Sequence, residues 1–281
     1  MDRFDKICKD IKEVKIQGAR AVAKAAVNAL LLKHDKAAIN KLISLRPTEP
    51  ALRNAIRFVM QHADIKQGIN LALDHFDYAE KKIAELGSRL IEDEMLVFTY
   101  CHSSSVANAL IEAKKQGKKF VVHNTETRPL FQGRITAAQL AKAKIPVKHF
   151  IDSAARVAFK KADIMLIGCD AITTTKIYNK VGSEMFAIVA EKYGIPIYVY
   201  TDAWKFDPQS IYGVEEEIEK RGAKEIWKNP PKGVKIENPA FEKIDPDLIS
   251  GIVSELGVLR HDQFIREAEK TYRFMFEKDK I

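Results

Sequence analysis

Cysteine is scarce in this sequence, and the few that occur do not form a recognisable set. Cys8, Cys101 and Cys169 lie far apart in a chain of 281 residues, and no CxxC spacing is present. Such a set argues against a disulfide framework and against a structural zinc site. The chain also lacks an apolar run of eighteen residues and, near its N-terminus, the apolar core of a signal peptide. We therefore expect a cytoplasmic protein without a membrane partner.

The sequence motifs of common nucleotide and metal sites are missing as well. No GxGxxG follows a first strand, and neither a GxxxxGKS/T loop nor an HExxH motif occurs. These absences argue against a Rossmann cofactor site, a Walker A loop and a zinc-protease type of centre. His102 and His123 fall on the same side of the predicted sheet, but two histidines are a weak metal signal. We expect no metal site.

Positive charge exceeds negative charge, and the formal net charge is +8. The lysines are spread along helical segments such as KKIAEL, AKKQGKK and FKKAD and do not form one tract. Spread lysines are typical of a solvated surface, so the sequence does not indicate a dedicated nucleic-acid site. The charge is compatible with a small anionic ligand such as a phosphate ester.

The chain changes pattern near residue 92, and the predicted fold class is α/β. Residues 1–92 carry apolar residues at helical spacing, which predicts a helical bundle domain. In residues 93–281 strands and helices alternate, which is typical of a doubly wound, mostly parallel Rossmann-like sheet domain. The clearest helices are GARAVAKAAVNALLLKH, EPALRNAIRFVMQHA, DYAEKKIAELGSRLI, SVANALIEAKKQG, SAARVAFKKA and GSEMFAIVAEKYG. The predicted strands are EMLVFTY, KFVVHNT, IPVKHFI, DIMLIGC and IPIYVYT.

Polar and reactive residues follow these strands, at the point where each strand ends. In open parallel sheets, ligands bind beyond the carboxyl ends of the strands. The sequence therefore predicts a binding or catalytic site at this edge of the sheet. The residues that follow successive strands include Cys101, His102, Ser103 and Ser104, then Arg128 and Gln132, then Asp170, then Lys205.

Cys101 and Asp170 are the two candidates for chemistry at this edge. The serines after Cys101 are suited to cap a helix, whose N-terminus would attract a phosphate or lower the pKa of the thiol. A buried filler is the alternative for the cysteine. Asp170 ends the apolar run IMLIGC, so we expect burial to raise its pKa toward the range of a general acid or base. A helix cap is the alternative for this aspartate.

Two further stretches have the residue types of an anion site. Arg128 precedes Pro129, which favours an extended backbone from which the guanidinium can reach an oxyanion. A surface ion pair is the alternative for this arginine. Asn179, Lys180 and the Gly182-Ser183 pair come before a predicted helix and form a candidate phosphate cradle.

The order of these motifs resembles one known superfamily over about residues 14–260. The motifs are CHSSS, TETRPxxQGxxTAxxL, IPVxxxxDSAAR, GCDAIT, NKVGS, WKFDP and ENPAFEKIDPDLISGIVSELG. The superfamily contains the regulatory subunits of translation initiation factor 2B, methylthioribose-1-phosphate isomerase and archaeal ribose-1,5-bisphosphate isomerase. The isomerase branches carry a cysteine and an aspartate that match Cys101 and Asp170. The residues of the motifs CHSSS and TETRPxxQGxITA are most similar to those of the ribose-1,5-bisphosphate isomerase branch.

The resemblance implies an aldose–ketose isomerase that converts ribose 1,5-bisphosphate to ribulose 1,5-bisphosphate in archaeal nucleoside phosphate salvage. Cys101 as a thiolate would take the C2 proton, and Asp170 would assist ring opening and move the oxygen proton. No metal or organic cofactor is implied. A homo-oligomer is implied, either a dimer through the C-terminal domain or a hexamer. The implied substrate-binding residues are Gly18, Ala19, Arg20, His102, Ser103, Ser104, Arg128, Gln132, Asn179, Lys180 and Lys205.

The chain differs from the isomerase pattern at two places. The isomerases read Arg-Gly-Ala where this chain reads Gln17-Gly18-Ala19, and Arg20 or Lys15 are the alternatives for the lost charge. Between Asp170 and Asn179 the isomerases carry an Asn-Gly turn, and this chain has Thr173–Lys176. Two other functions stay open: a non-catalytic initiation-factor-2B-like subunit that binds a partner protein and a phosphorylated ligand, and a methylthioribose-1-phosphate isomerase.

The C-terminal segment HDQFIREAEKTYRFMFEKDKI carries an aromatic stripe. Phe264, Tyr272, Phe274 and Phe276 form it. We expect the stripe to pack on its own domain, with a role between subunits as the alternative.

Overall fold

The computed structural model describes residues 2–215 and 218–277, and helices occupy its N-terminal part. Asp2, Asp35 and Asp64 each accept a backbone N–H at a helix start, and Pro50 stands in the first turn of another helix. The bounds are α1 (Arg3–Lys12), α2 (Ala19–Ala29), α3 (Lys36–Ser44), α4 (Pro50–Met60) and α5 (Ile65–Ser88). The three predicted N-terminal helices are confirmed as α2, α4 and α5. The helix predicted to begin at Asp77 begins earlier, at Ile65, because Asp64 caps it there.

A mostly parallel sheet follows, and it has the predicted strands plus two more at one edge. In the described part of the chain the strand order is β10-β9-β7-β4-β1-β2-β3, and only the β9–β10 pair is antiparallel. The doubly wound prediction is therefore confirmed. The bounds are β1 (Leu96–Thr99), β2 (Val121–Thr125), β3 (Val147–Phe150), β4 (Ile164–Gly168), β7 (Ile197–Tyr200), β9 (Gly251–Ser254) and β10 (Gly257–Leu259).

A second, antiparallel sheet has three short strands, two from the segment after β4 and one from the segment after β7, and the sequence patterns did not predict it. Its strands are β5 (Ala171–Ile172), β6 (Ile177–Lys180) and β8 (Phe241–Ile244), in the order β5-β6-β8. The segment Thr173–Lys176 is the turn between the first two strands. The Thr173 hydroxyl accepts a hydrogen bond from the Lys176 N–H at 2.9 Å, and the Thr173 N–H donates to the Lys176 carbonyl at 2.8 Å. A threonine side chain thus closes this turn without a glycine.

Helices of the C-terminal part connect the strands. The predicted helix SAARVAFKKA is shorter than expected, because a 3-10 turn at Asp152–Ala154 precedes it and only Ala155–Ala158 is α-helical. No helix of the described residues is long and apolar enough to cross a membrane. The bounds are α6 (Ser104–Lys115), α7 (Gln132–Lys142), α8 (Ala155–Ala158), α9 (Ser183–Lys192) and α10 (His261–Thr271).

One continuous apolar core joins the N-terminal helices to the sheet. Trp204, which follows β7, is fully buried and packs against Phe58 of α4 and Phe76 of α5. The aromatic stripe joins this core: the Phe274 ring lies 5.1 Å from Phe58 and 5.3 Å from Trp204. The stripe therefore packs on its own chain, but on both halves of it. Residues 278–281 of the predicted stripe segment lie outside the described residues.

Replacing Phe274 tests this packing. Phe274→Ala removes ring contacts with Phe58 and Trp204, so we expect the free energy of unfolding to fall by about 2–3 kcal/mol. Tyr212, whose side chain is exposed, gives the control, and Tyr212→Ala should change it by less than about 0.5 kcal/mol. Urea unfolding followed by tryptophan fluorescence measures both. An equal effect in the two variants would contradict the assigned packing.

Candidate functional site

A pocket of about 370 Å³ opens at the carboxyl edge of the large sheet. This volume is within the range of small-molecule sites, which span roughly 300–1,000 Å³. All but one of the residues predicted for the site line it. They are Gly18, Ala19, Arg20, Cys101, His102, Ser103, Ser104, Gln132, Asp170, Asn179, Lys180 and Lys205.

Arg128 is the exception, because the structure places it outside the lining of the pocket. Its side chain is exposed, and its guanidinium donates to the carbonyls of Ile226 and Pro129, each at 3.3 Å. The cause lies in the backbone, because the Asp152 carboxylate accepts the N–H groups of Thr127 at 2.9 Å and Arg128 at 2.7 Å. These bonds fix the loop with the arginine side chain outside the pocket.

Two threonines hold Cys101 at the end of β1. Cys101 has a positive φ of 65°, its N–H donates to the Thr127 hydroxyl at 3.0 Å, and its carbonyl accepts from the Thr136 hydroxyl at 2.9 Å. Ser103 then caps α6, as the sequence predicts. Gly168 of β4 lies beneath this turn, and a Cβ there would stand 2.7 Å from the Ser103 side chain. The turn therefore needs glycine at that position.

The expected lowering of the Cys101 pKa by the helix start is wrong. Burial raises the pKa of the Cys101 thiol to about 11, although the charge of Lys180 acts in the opposite direction. The desolvation of the thiolate outweighs the nearby positive charge. We therefore expect Cys101 to be mainly the neutral thiol at pH 7.

The expectation for Asp170 is confirmed. Burial raises the pKa of Asp170, while Lys205 and Lys180 oppose the rise. Both lysines are buried: Lys205 Nζ donates to the Cys169 carbonyl at 2.7 Å, and Lys180 Nζ lies 5.5 Å from the centre of the Phe241 ring. Neither contact neutralises a lysine charge, so both charges remain available to an anion in the pocket.

The start of α2 forms the opposite wall of the pocket. Gly18 is its N-cap with a positive φ of 86°, and no side chain caps the first N–H groups. Arg20 NH2 donates to the Ser105 hydroxyl at 3.1 Å, and Arg20 also forms an ion pair with Glu80 of α5. Lys15 pairs instead with Glu13 at 2.7 Å. Of the two candidates for the charge absent at Gln17, Arg20 is thus the one that lines the pocket.

A row of ion pairs at one end of the pocket escaped the sequence analysis. Arg46 pairs with Glu49, Arg46 Nε lies 3.2 Å from Glu219, and Arg221 pairs with both Glu219 and Glu225 at 2.8 Å. Burial raises the pKa of Glu49 to about 7. The RPTEP stretch before α4 was the available signal for Arg46 and Glu49. Glu219 and Arg221 lie in a long connection without periodicity.

His123 lies away from the pocket, where its Nδ1 contacts the Ala158 carbonyl at 2.7 Å. Across residues 2–215 and 218–277 no cluster of three or more His, Cys, Asp or Glu side chains is arranged to hold a metal ion.

Comparisons with known proteins identify sugar-phosphate isomerases among the relatives of this chain. Ribose 1,5-bisphosphate isomerase of Thermococcus kodakarensis is 34% identical to the chain, over 90% of the chain and 89% of that protein. The enzyme of the same name from Pyrococcus furiosus is 32% identical, over 90% and 89%. Methylthioribose-1-phosphate isomerase of Caldanaerobacter subterraneus subsp. tengcongensis is 30% identical, over 89% and 85%.

Solved structures of translation initiation factors have the same fold. The Pyrococcus horikoshii translation initiation factor eIF-2B superposes with a TM-score of 0.83 at 25% identity, covering 92% of this chain and 98% of that one. The delta subunit from A. fulgidus gives 0.72 at 26% identity, with 95% and 91% covered. The model of the Initiation factor 2 subunit family matches residues 12–261. The chain therefore belongs to the Initiation factor 2 subunit family.

Proposed function

We propose that this protein is a sugar-phosphate aldose–ketose isomerase that converts ribose 1,5-bisphosphate to ribulose 1,5-bisphosphate. One observation carries the proposal: Cys101 and Asp170 line one pocket, and the charge of buried Lys180 acts on both groups. Relatives of that name at 34% and 32% identity, each over 90% of this chain, support the substrate.

The isomerisation moves hydrogen within one molecule and needs no net oxidant. The ring opens, a proton leaves C2, a proton arrives at C1, and the C2 hydroxyl becomes a carbonyl. In our proposal the Cys101 thiolate accepts the C2 proton and returns it to C1, and Asp170 protonates the ring oxygen and then accepts the proton of the C2 hydroxyl. The raised pKa of Asp170 suits this acid role, because a carboxyl with a raised pKa keeps its proton closer to neutral pH.

The phosphates would lie where the pocket offers positive charge and backbone N–H groups. Lys180 and Lys205 supply charge beside Cys101 and Asp170, and Arg20 supplies it beside the uncapped start of α2. Helix N-termini and lysine or arginine side chains are the usual partners of phosphate groups. Gly18, Ala19, His102, Ser103, Ser104, Gln132 and Asn179 complete the proposed binding set.

Other features of the proposal follow from the family. We propose a helical domain of residues 1–92, an α/β domain of residues 93–281 that carries the oligomer interface, and a cytoplasmic homo-oligomer.

Methylthioribose-1-phosphate isomerase is a second candidate activity, since a relative with that name is 30% identical over 89% of the chain. A subunit that binds a phosphorylated ligand without turnover is the candidate favoured by the Pyrococcus horikoshii structure, with its TM-score of 0.83. Incubation with each sugar phosphate, and analysis of the products, separates the three.

Replacing the proposed base tests the chemistry. Cys101→Ser should lower kcat for ribose 1,5-bisphosphate by at least about 100-fold, because a hydroxyl is a far weaker base than a thiolate. The control is Cys8→Ala, which changes a buried cysteine of α1 and should keep kcat. Ribulose 1,5-bisphosphate formation is measured for both proteins. Full activity of Cys101→Ser would remove Cys101 from the mechanism.

The pH dependence of thiol alkylation tests the charge state of Cys101. Burial raises the pKa of the thiol to about 11, so the thiolate is scarce at pH 7. Its fraction grows about tenfold with each pH unit, and the rate at which iodoacetamide alkylates Cys101, measured against Cys101→Ser, should rise by that factor from about pH 7 to pH 9. A plateau that begins below pH 8 would show that the thiol has a lower pKa.

A pair of arginine variants tests the phosphate site. Arg20→Gln should raise KM by roughly 10–100-fold, which corresponds to the loss of a charge-assisted hydrogen bond. Arg128→Gln is the matched control, because Arg128 is exposed outside the pocket, and its KM should stay within about twofold of the wild type. Steady-state kinetics with ribose 1,5-bisphosphate measures both. A larger rise in KM for Arg128→Gln than for Arg20→Gln would show that Arg128, and not Arg20, binds the substrate.

A further inference from the structure

The row of ion pairs beside the pocket carries more acid than base. Three carboxylates, Glu49, Glu219 and Glu225, share the two guanidinium groups of Arg46 and Arg221. Among the residues that the structure describes, this row therefore has one more carboxylate than guanidinium groups. Four of these five side chains, all except Glu225, line the pocket.

Glu49 is the carboxylate of this row whose ionised form is least stabilised by its surroundings. Its side chain is 1% exposed, against 16% for Glu219 and 21% for Glu225, so water screens its charge least. Its cation, Arg46, is shared with Glu219. From the other walls Asp170 repels the Glu49 charge, and Lys205 attracts it.

A phosphate that enters this end of the pocket makes the ionised form of Glu49 less stable. The phosphate is attracted by Lys205 and Arg46, which are the cations that stabilise the Glu49 carboxylate, and it adds negative charge of its own. Like charges in a buried site are relieved when one of the acids binds a proton. Glu49 is placed to do so, since it is the most deeply buried acid of the row.

We propose that Glu49 takes up a proton when a phosphorylated ligand binds, and that it thereby sets the affinity of the pocket for a doubly phosphorylated substrate. Ionised Glu49 weakens the binding of the second phosphate group of the substrate, and protonated Glu49 allows it to bind. The identity of the ligand rests on the proposed function, but the proton uptake does not.

Calorimetric titration of the full-length protein with ribose 1,5-bisphosphate tests this. Measurements at pH 8 in two buffers of different ionisation enthalpy give the number of protons exchanged on binding. Wild type should take up close to one proton more than Glu49→Gln. Because charged Glu49 accumulates as the pH rises above about 7, wild-type affinity should fall up to roughly tenfold per pH unit relative to the variant. The two proteins should bind alike near pH 6.

The size of the exchange separates Glu49 from the ligand. A phosphate ester has a second pKa near 6, so at pH 8 it is already the dianion and exchanges almost no proton when it binds in that form. His102 and Asp170 also line the pocket as groups able to accept a proton, and their contributions cancel in the comparison with Glu49→Gln. If Glu49→Gln does not fold, wild type is compared at pH 8 with His102→Gln and Asp170→Asn. Equal uptake by all three proteins supports Glu49, and loss of the uptake in either variant overturns the proposal.

Glu126→Gln is the matched control. Glu126 pairs with Arg134 at 2.9 Å and belongs neither to the row nor to the lining of the pocket, so the proton uptake of this variant should equal that of the wild type. Equal uptake by wild type and Glu49→Gln would overturn the proposal. If ribose 1,5-bisphosphate is bound but not converted, the proposed function fails while the calorimetric comparison stands. If it is not bound, the same comparison is made with inorganic phosphate, and equal uptake again overturns the proposal.

Discussion

The contact between α4 and the segment after β7 holds the two walls of the pocket together. The buried Asn54 side chain of α4 donates to the carbonyls of Trp204 and Phe206, both at 2.8 Å, on either side of Lys205. Trp204 packs at the same place against α4 and α5. These contacts place the lysine, which belongs to the sheet half of the chain, opposite groups that the helices supply.

Burial has the same effect on three acids that line this pocket, Cys101, Asp170 and Glu49. It raises the pKa of each, because each loses the water that stabilises its charged form. Lys180 and Lys205 are buried at the same edge, where they contact a ring face and a carbonyl oxygen. Burial therefore opposes negative charge on the protein's own groups beside these lysines, and the same lysines attract an anionic ligand such as a phosphate.

The site residues that follow the apolar strands of the large sheet could be predicted from the sequence. Those that lie in irregular segments could not. Cys101 and Asp170 follow four- and five-residue apolar strands, and the rule for parallel sheets places both at one edge. The position of Arg128 depended on the distant Asp152, which no local pattern reveals. The small sheet escaped detection because β5 has only two residues, and Glu219 lies in a connection without periodicity.

The small sheet is nevertheless the element that connects the two proposed catalytic groups. Lys180 ends β6, and it is paired there with Phe241 of β8. The Ser183 hydroxyl donates to the Lys180 carbonyl at 2.6 Å and accepts from the Asn179 side chain at 2.9 Å, so the lysine backbone is fixed before α9 begins. The charge of Lys180 favours the ionised form of both Cys101 and Asp170. In the proposed mechanism this charge lowers the free-energy cost of ionising Cys101 before it accepts the C2 proton, while burial keeps the pKa of Asp170 raised for its role as the acid.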